Sequence, residues 1–291
     1  MIVCPSCNSD SIQSGKGCGE CGFTPARVDG FLAWAPELAK QNDGFHKESF
    51  EGLARVEAGN FWFRARNAII VWALRKYFPD FQSLLEVGCG TGFVLSGISQ
   101  AFPQAKIAGS EIYTTGLAFA AQRLPCVELL QMDARRLPYV EEFDVVTAFD
   151  VIEHILEDEL VLQNFHRAIK PGGSCLITVP QHQWLWSPVD EDACHQRRYS
   201  ARELHVKVQA AGFQIVRSTS FVTLLLPLML ASRLAARRSG TSGGSEALQL
   251  NPIVDRVLDA VMRMERLIIK SGVSLPIGGS RLVVLKKIPS A

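Results

Sequence analysis

The sequence has no excess of charge of one sign. Thirty Lys and Arg stand against 29 Asp and Glu over 291 residues, a formal net charge of +1. A chain so balanced has no global field to draw it to nucleic acid or to an anionic membrane. Long apolar runs are also missing. The longest, Phe221 to Ala231, is too short to span a bilayer and holds Pro227. No internal repeat is visible, which excludes solenoid and propeller architectures. Met1-Ile2-Val3-Cys4-Pro5 lacks the charged-then-apolar pattern of a secretory leader, so a cytoplasmic setting is expected. In that setting the eight cysteines read as reduced thiols or metal ligands, not disulfides.

What is present begins with two Cys-x-x-Cys knuckles. Cys4-Pro5-Ser6-Cys7 and Cys18-Gly19-Glu20-Cys21 are separated by ten residues. Four thiolates can close a tetrahedron around a structural zinc ion, leaving no open position for chemistry. Iron in the same geometry and redox-active pairs are the alternatives. The segment is too short to bury a core, so its folding is expected to depend on the metal. It resembles a zinc ribbon or rubredoxin-like knuckle over residues 1–26. Residues 27–59 show no clear period and read as a linker with short helices.

From Asn60 the pattern changes. Phe61, Ala65, Ile69, Trp72 and Ala73 share one helical face behind a capping Asn60, and Pro79 ends the run. Strands are expected near 84–87, 106–111, 127–131, 143–149 and 174–179, with helices near 92–101, 115–123 and 159–169 between them. Lys170-Pro171-Gly172-Gly173 reads as a helix stop and a turn. Ser200-Ala201-Arg202-Glu203 has capping-box form and opens a helix ahead of a sixth strand over 213–220. Ser239 to Ser245 is Gly/Ser-rich and reads as a loop. Asn251 and Pro252 open a helix with apolar residues at Val254, Val257, Leu258, Val261 and Leu267, and 281–287 is the last strand. Alternating strand and helix predicts an open α/β sheet.

The run Leu84-Leu85-Glu86-Val87-Gly88-Cys89-Gly90-Thr91-Gly92 carries the most information. It is a buried strand ending in an acid, then a loop with glycine at every second position. Such a loop brings backbone into contact with a ligand where a Cβ would collide. The spacing is Gly-x-Gly-x-Gly, not the dinucleotide Gly-x-Gly-x-x-Gly, and Glu86 would oppose a pyrophosphate. An acid there suits a ligand with a cationic end.

At this point the chain resembles the class I S-adenosylmethionine-dependent methyltransferases, whose first motif looks like Glu86 to Gly92. The likeness extends from about Phe61 to Ile288. It implies a Rossmann-like seven-stranded sheet, mostly parallel, with an antiparallel last strand as edge partner. That domain would occupy 60–291, with insertions at 180–200 and 221–275. The cofactor implied is S-adenosyl-L-methionine, held by Glu86, Gly88, Cys89, Gly90, Thr91 and Gly92. Glu111 ends the second strand, where a carboxylate can accept both ribose hydroxyls, and Ile112 can pack on the adenine. In Met132-Asp133-Ala134 the resemblance puts Asp133 on the adenine amino group, with capping of a turn as its alternative. Phe149 and Asp150 would border the methionine half.

His154 follows the fourth strand and is the leading general base, with turn capping as its alternative. His195 lies in Asp190-Glu191-Asp192-Ala193-Cys194-His195-Gln196-Arg197-Arg198-Tyr199, on the carboxyl side of the sheet, and could supply a second base. Trp62, Arg66, Trp184, Arg197, Arg198 and Tyr199 are the substrate-side residues, though Trp62 could equally pack on the sheet and the arginines be solvated. The leucine-rich 221–238 segment reads as a buried or dimer-forming helix. Its alternative is a peripheral membrane foot with Arg233, Arg237 and Arg238 at the headgroups. The expected activity is O- or C-methylation of a small-molecule, glycan or lipid-linked acceptor. An RNA methyltransferase gripping nucleic acid through the zinc ribbon is disfavoured, because Lys16 and Arg27 are the only basic residues in the first 39. A non-catalytic cofactor-binding scaffold and a Rossmann oxidoreductase are the remaining alternatives.

Overall fold

A computed structural model describes residues 1–10, 12, 17–40, 47–240 and 249–288. Ala26–Val28 (β1) and Phe31–Ala33 (β2) form a hairpin, followed by helices Lys47–Val56 (α1) and Phe61–Tyr77 (α2). Strand and helix then alternate through Ser83–Val87 (β3), Phe93–Ala101 (α3), Lys106–Glu111 (β4), Thr114–Arg123 (α4), Glu128–Gln131 (β5), Phe143–Phe149 (β6), Asp158–Ala168 (α5) and Ile169–Pro180 (β7). Pro188–Asp192 (α6), Ala201–Ala210 (α7), Phe213–Phe221 (β8), Leu226–Ser239 (α8), Pro252–Lys270 (α9) and Ser280–Lys287 (β9) complete the chain. The expected Gly/Ser-rich loop lies, beyond Gly240, outside the described residues.

One sheet runs in the order β1-β2-β5-β4-β3-β6-β7-β9-β8. The seven strands expected are all present, parallel from β5 to β7 with an antiparallel β9. Two expectations need correction. β9 is not the border strand: it is inserted between β7 and β8, and β8 forms the border. Leu282, Val283, Val284 and Leu285 are all fully buried, so two-sided burial puts β9 inside. The segment read as a linker contributes β1 and β2, with β2 pairing β5. Three-residue strands are too short for alternation to register in sequence. The turn expected at Lys170–Gly173 is taken into the start of β7, with Gly172 at φ +71°.

Alternation along each strand sorts residues into two cores. Leu85, Val146, Cys175 and Ile177 meet α5 and α7 through Val161, Phe165, Leu204 and Val208. Leu84, Val145 and Leu176 meet α2, α3 and α9 through Ile69, Ile70, Leu95 and Ile269. Cys4, Ile12 and Cys18 join the first core beside Trp34, so the N-terminal module packs on the sheet domain. Its backbone is tied there by Val3 N–H to the Pro138 carbonyl at 2.8 Å. Caps follow the sequence signals: Asn60 accepts from Trp62 N–H, Ser200 from Glu203 N–H and Asn251 from Ile253 N–H.

Helix α8 departs from the expectation of a buried helix, whereas α9 forms where expected. No residue of α8 is buried, so it is not a core helix. α9 turns Asp255, Asp259 and Glu265 inward and leaves Ile253, Val254, Val257, Met264 and Leu267 exposed. Two of these acids hold backbone amides elsewhere in the chain, and Asp259 pairs with Arg263 of the same helix at 2.7 Å. Asp255 accepts from Phe61 N–H at the start of α2 and pairs with Arg64 at 2.6 Å. Glu265 accepts from the Val222, Thr223 and Leu224 amides at 2.6–2.8 Å. Among the described residues no helix is long and apolar enough to cross a membrane.

Candidate active site

The end of β3 opens into the glycine loop. Gly88, Gly90 and Gly92 have φ of +71°, +51° and +74°. A Cβ on Gly88 would meet Val151 Cγ2 at 2.5 Å, so that glycine lets the loop close on its own fold. Gly90 is different. Its added Cβ would touch only Phe50, at 3.9 Å, so its bareness serves space rather than packing. Glu86 sits behind the loop, buried, with Oε2 lacking any hydrogen-bond partner. Burial pushes its acid up to about 8, with Arg66 drawing it the other way. Cys89 fastens the loop to β4 through its N–H and the Ser110 carbonyl. Glu111 braces it from β4, accepting from Gly90 N–H at 3.0 Å and Ile112 N–H at 2.8 Å.

The other strand ends converge on this point because parallel strands all deliver their carboxyl ends to one side. Asp133 is buried at the end of β5 between Met132 and Ala134. Both its oxygens accept from Arg135 Nε at 3.0 Å, and it caps the following turn. Phe149 is buried at the end of β6, and Asp150 takes φ +57° immediately after. Arg66, which reaches across from α2, donates to Asp150 and lies over the Trp62 ring at 4.6 Å.

Beyond Asp150, the structure brings the two histidines together. The His154 and His195 rings stand edge to face with centroids 4.8 Å apart. Burial, reinforced by His195, lowers His154 to about 4, so it is neutral at pH 7. His195 Nδ1 is 3.0 Å from Asp190 Oδ1. Glu153, whose Oε1 lies 4.0 Å from His195 Nε2, is fully buried, and burial, then Asp150, raise its acid well above the usual carboxylate range.

The neighbouring substrate-side residues need correction. Tyr199 is fully buried and its hydroxyl donates to Asp158 at 2.6 Å. Arg198 is buried, bonded to Asp190 at 2.7 Å and to the Gln181 carbonyl. Arg197 pairs with Asp158 at 2.7 Å and donates to the Leu156 carbonyl. These three brace the loop instead of offering free donors, because Asp158 and Asp190 already engage them. Trp184 is half exposed and stacks on His182. Arg233 and Arg237, expected at headgroups, hold this same segment: Arg233 donates to Ser187 Oγ, and Arg237 to the Trp184 and Trp186 carbonyls.

Sequence reasoning missed three residues. Phe50 of α1 stands beside the loop, 3.9 Å from where a Cβ on Gly90 would lie, and edge to face with Tyr113. No period or motif marks it. Glu57 accepts from Thr91 and pairs with Arg123 at 2.7 Å. Glu153 was visible as an acid in an apolar context beside His154, and that was its signal.

In the N-terminal module the Cys4 and Cys21 sulfurs are 3.5 Å apart, and the Cys7 and Cys18 sulfurs 3.6 Å. Tetrahedral zinc–sulfur bonds of about 2.3 Å put sulfurs about 3.8 Å apart, so the donor set fits that ion. All four sulfurs lie within 4.8 Å of one another.

A family model described as a methyltransferase domain matches residues 60–218, more than half of the chain, and the chain belongs to that family. A probable S-adenosylmethionine-dependent methyltransferase of Mycolicibacterium smegmatis is 27% identical over 173 residues, covering 58% of this chain and 64% of the relative. The dTDP-4-amino-2,3,4,6-tetradeoxy-D-glucose N,N-dimethyltransferase of Saccharopolyspora spinosa is 35% identical over 148 residues, covering 50% of this chain and 55% of the relative. The chain thus spans less than two thirds of the length of these curated relatives. Among solved structures, phosphoethanolamine N-methyltransferase 2 of Haemonchus contortus, in complex with phosphomonomethylethanolamine and S-adenosylhomocysteine, has the same fold. Its TM-score is 0.55 at 18% identity, over 86% of this chain and 59% of that one.

Proposed function

We propose that the chain transfers a methyl group from S-adenosylmethionine to a small-molecule, glycan or lipid-linked acceptor. The carrying observation is the orphaned Glu86 oxygen behind a turn left open at Gly90. A buried acid without a partner fits a cationic ligand and opposes a pyrophosphate. When bound, the cofactor supplies a methyl group already activated by its sulfonium. The chain's residues then have to hold, align and dry the site. In this reading Glu111 accepts ribose hydroxyls, Ile112 packs on adenine and Asp133 accepts from the adenine amine. Arg66, held on Asp150 and Trp62, is assigned to the boundary between cofactor and acceptor. The relatives' printed names support methyl transfer, and one names an amino sugar as substrate. Oxygen and carbon are favoured as the receiving atom by the histidine pair beside Asp150. Calorimetry with S-adenosylhomocysteine and with NADH tests the reading: tight binding of the first alone is expected, and the reverse order sinks it.

The four-cysteine cluster is assigned to structural zinc on its donor set. A lipid-linked acceptor, approached at a membrane surface, is favoured by α8 and α9. Every carboxylate of α9 is turned inward, α8 carries none, and the exposed charges Arg237, Arg238, Arg256, Arg263 and Lys270 are all basic, Arg263 being paired with Asp259. An apolar helix face rimmed by cations suits an anionic lipid surface. A second copy of the same face would set like charges against each other.

A further inference from the structure

Glu153, three residues past Asp150, is explained neither by packing nor by the cofactor. It is fully buried, and neither of its oxygens has a hydrogen-bond partner. A buried carboxylate left so is strongly disfavoured unless a proton or a cation joins it. The charges around it are already matched, Asp150 with Arg66 and Asp190 with Arg198. Among these groups Glu153 is the unmatched one.

Its neighbours have the chemistry of ligands. One atom each of Glu153, His154 and His195 lie within 4.8 Å of one another. His195 Nε2 is 4.0 Å from Glu153 Oε1. Nitrogen and oxygen ligands bonded at about 2.0–2.2 Å stand about 3–3.5 Å apart, so side-chain shifts of about an ångström close the three onto one ion. His195 is also oriented for the task. Donation from Nδ1 to Asp190, the tautomer this geometry assigns, leaves the Nε2 lone pair on the Glu153 side. A carboxylate behind an imidazole fixes and strengthens it as a ligand. Asp190 is in turn held by Arg198 Nε at 2.7 Å and Ser187 N–H at 3.0 Å.

We propose that Glu153, His154 and His195 bind a divalent first-row metal cation on the acceptor side of the site, separate from the cysteine cluster. One carboxylate and two imidazoles suit ions from manganese to zinc, and three protein ligands leave positions open. An acceptor oxygen can fill an open position, which narrows the acceptor to a group bearing a hydroxyl or enol. That narrowing rests on the methyl-transfer reading, whereas the metal binding stands on the cluster alone.

The test is a titration of full-length, zinc-loaded protein with Mn2+ followed by electron paramagnetic resonance. Mn2+ is chosen because it competes poorly for thiolates. Calorimetry with S-adenosylhomocysteine runs in parallel. One Mn2+ per chain is expected. Glu153→Gln and His195→Asn should each weaken it at least tenfold while S-adenosylhomocysteine binds as in the wild type. Asp190→Asn should weaken it by about 10–100-fold through the orientation of His195. Wild-type protein that takes up no Mn2+ at millimolar concentration overturns the proposal, and so does unchanged affinity in Glu153→Gln. If Glu153→Gln fails to fold, the wild-type stoichiometry and His195→Asn decide. Loss of S-adenosylhomocysteine binding in the wild type would strike the methyltransferase reading, and the manganese titration would still judge the metal.

Discussion

Glu86 shows how one residue can report a ligand. Burial raises its acid to about 8, so the free protein carries it mostly protonated at pH 7. A cationic ligand favours the ionised form, so binding below pH 8 has to release that proton. Affinity for S-adenosylmethionine should therefore rise with pH towards about 8 and then level off. Calorimetry in buffers of different ionisation enthalpy counts the proton. A flat affinity from pH 6.5 to 8.5, the same as in Glu86→Gln, would argue against this role. Without ligand the sign is opposite for stability: because the folded-state value is raised, stability is lost as pH climbs from near 4.5 to about 8. At Glu111, replacement by Ala removes an acceptor that the Gly90 and Ile112 amides use. Cofactor binding should weaken by about 1–3 kcal/mol, read as a rise in Kd with the fold retained by circular dichroism.

Helix α9 owes its position to two acids. Glu265 answers three successive amides where β8 runs into α8, so Glu265→Ala should leave those donors buried and unpaired. A loss of about 3 kcal/mol or more is expected, seen as a lower denaturant midpoint. A change below about 0.5 kcal/mol would show that the junction finds other partners. The cysteine module is the other element whose fate hangs on few atoms. Metal analysis should find one zinc per chain at the cysteines, lost in Cys18→Ser. That loss should raise protease sensitivity near residues 1–26. Retained zinc in Cys18→Ser would remove that residue from the ligand set. Because Cys4 and Cys18 also pack in the sheet's core, the damage should reach Trp34, whose fluorescence offers a second readout.

For the whole molecule, the exposed stripe of α9 makes a prediction about location. The protein should cosediment with vesicles containing anionic lipid and much less with neutral ones. Val257→Asp and Leu267→Glu should lower that binding at least tenfold without touching S-adenosylhomocysteine affinity, since both side chains are more than half exposed. Equal binding to neutral and anionic vesicles, or none, would rule out an anionic membrane surface.

Much of the scaffold was legible because the signals are local. The apolar run ending at Val87, the three alternate glycines, Asn60, Ser200 and Asn251 each act within a few residues, and their elements appear where expected. Glu86 and Glu111 were readable as neighbours of the glycine loop because strand ends of a parallel sheet must meet on one side. The cysteine spacing likewise brought four sulfurs together. What stayed hidden depends on contacts between distant segments. β1 and β2 are strands only because β5 offers an edge. Phe50 comes beside Gly90 from 40 positions earlier in the chain. Tyr199 and Arg198 looked like substrate contacts until Asp158 and Asp190 were found beside them. The apolar positions of α9 said nothing of which face is covered, and only the amides at Val222 and Phe61 explain why Glu265 and Asp255 face inward. Periodicity tells which face of an element is apolar; which face is covered is decided by what the rest of the chain brings against it.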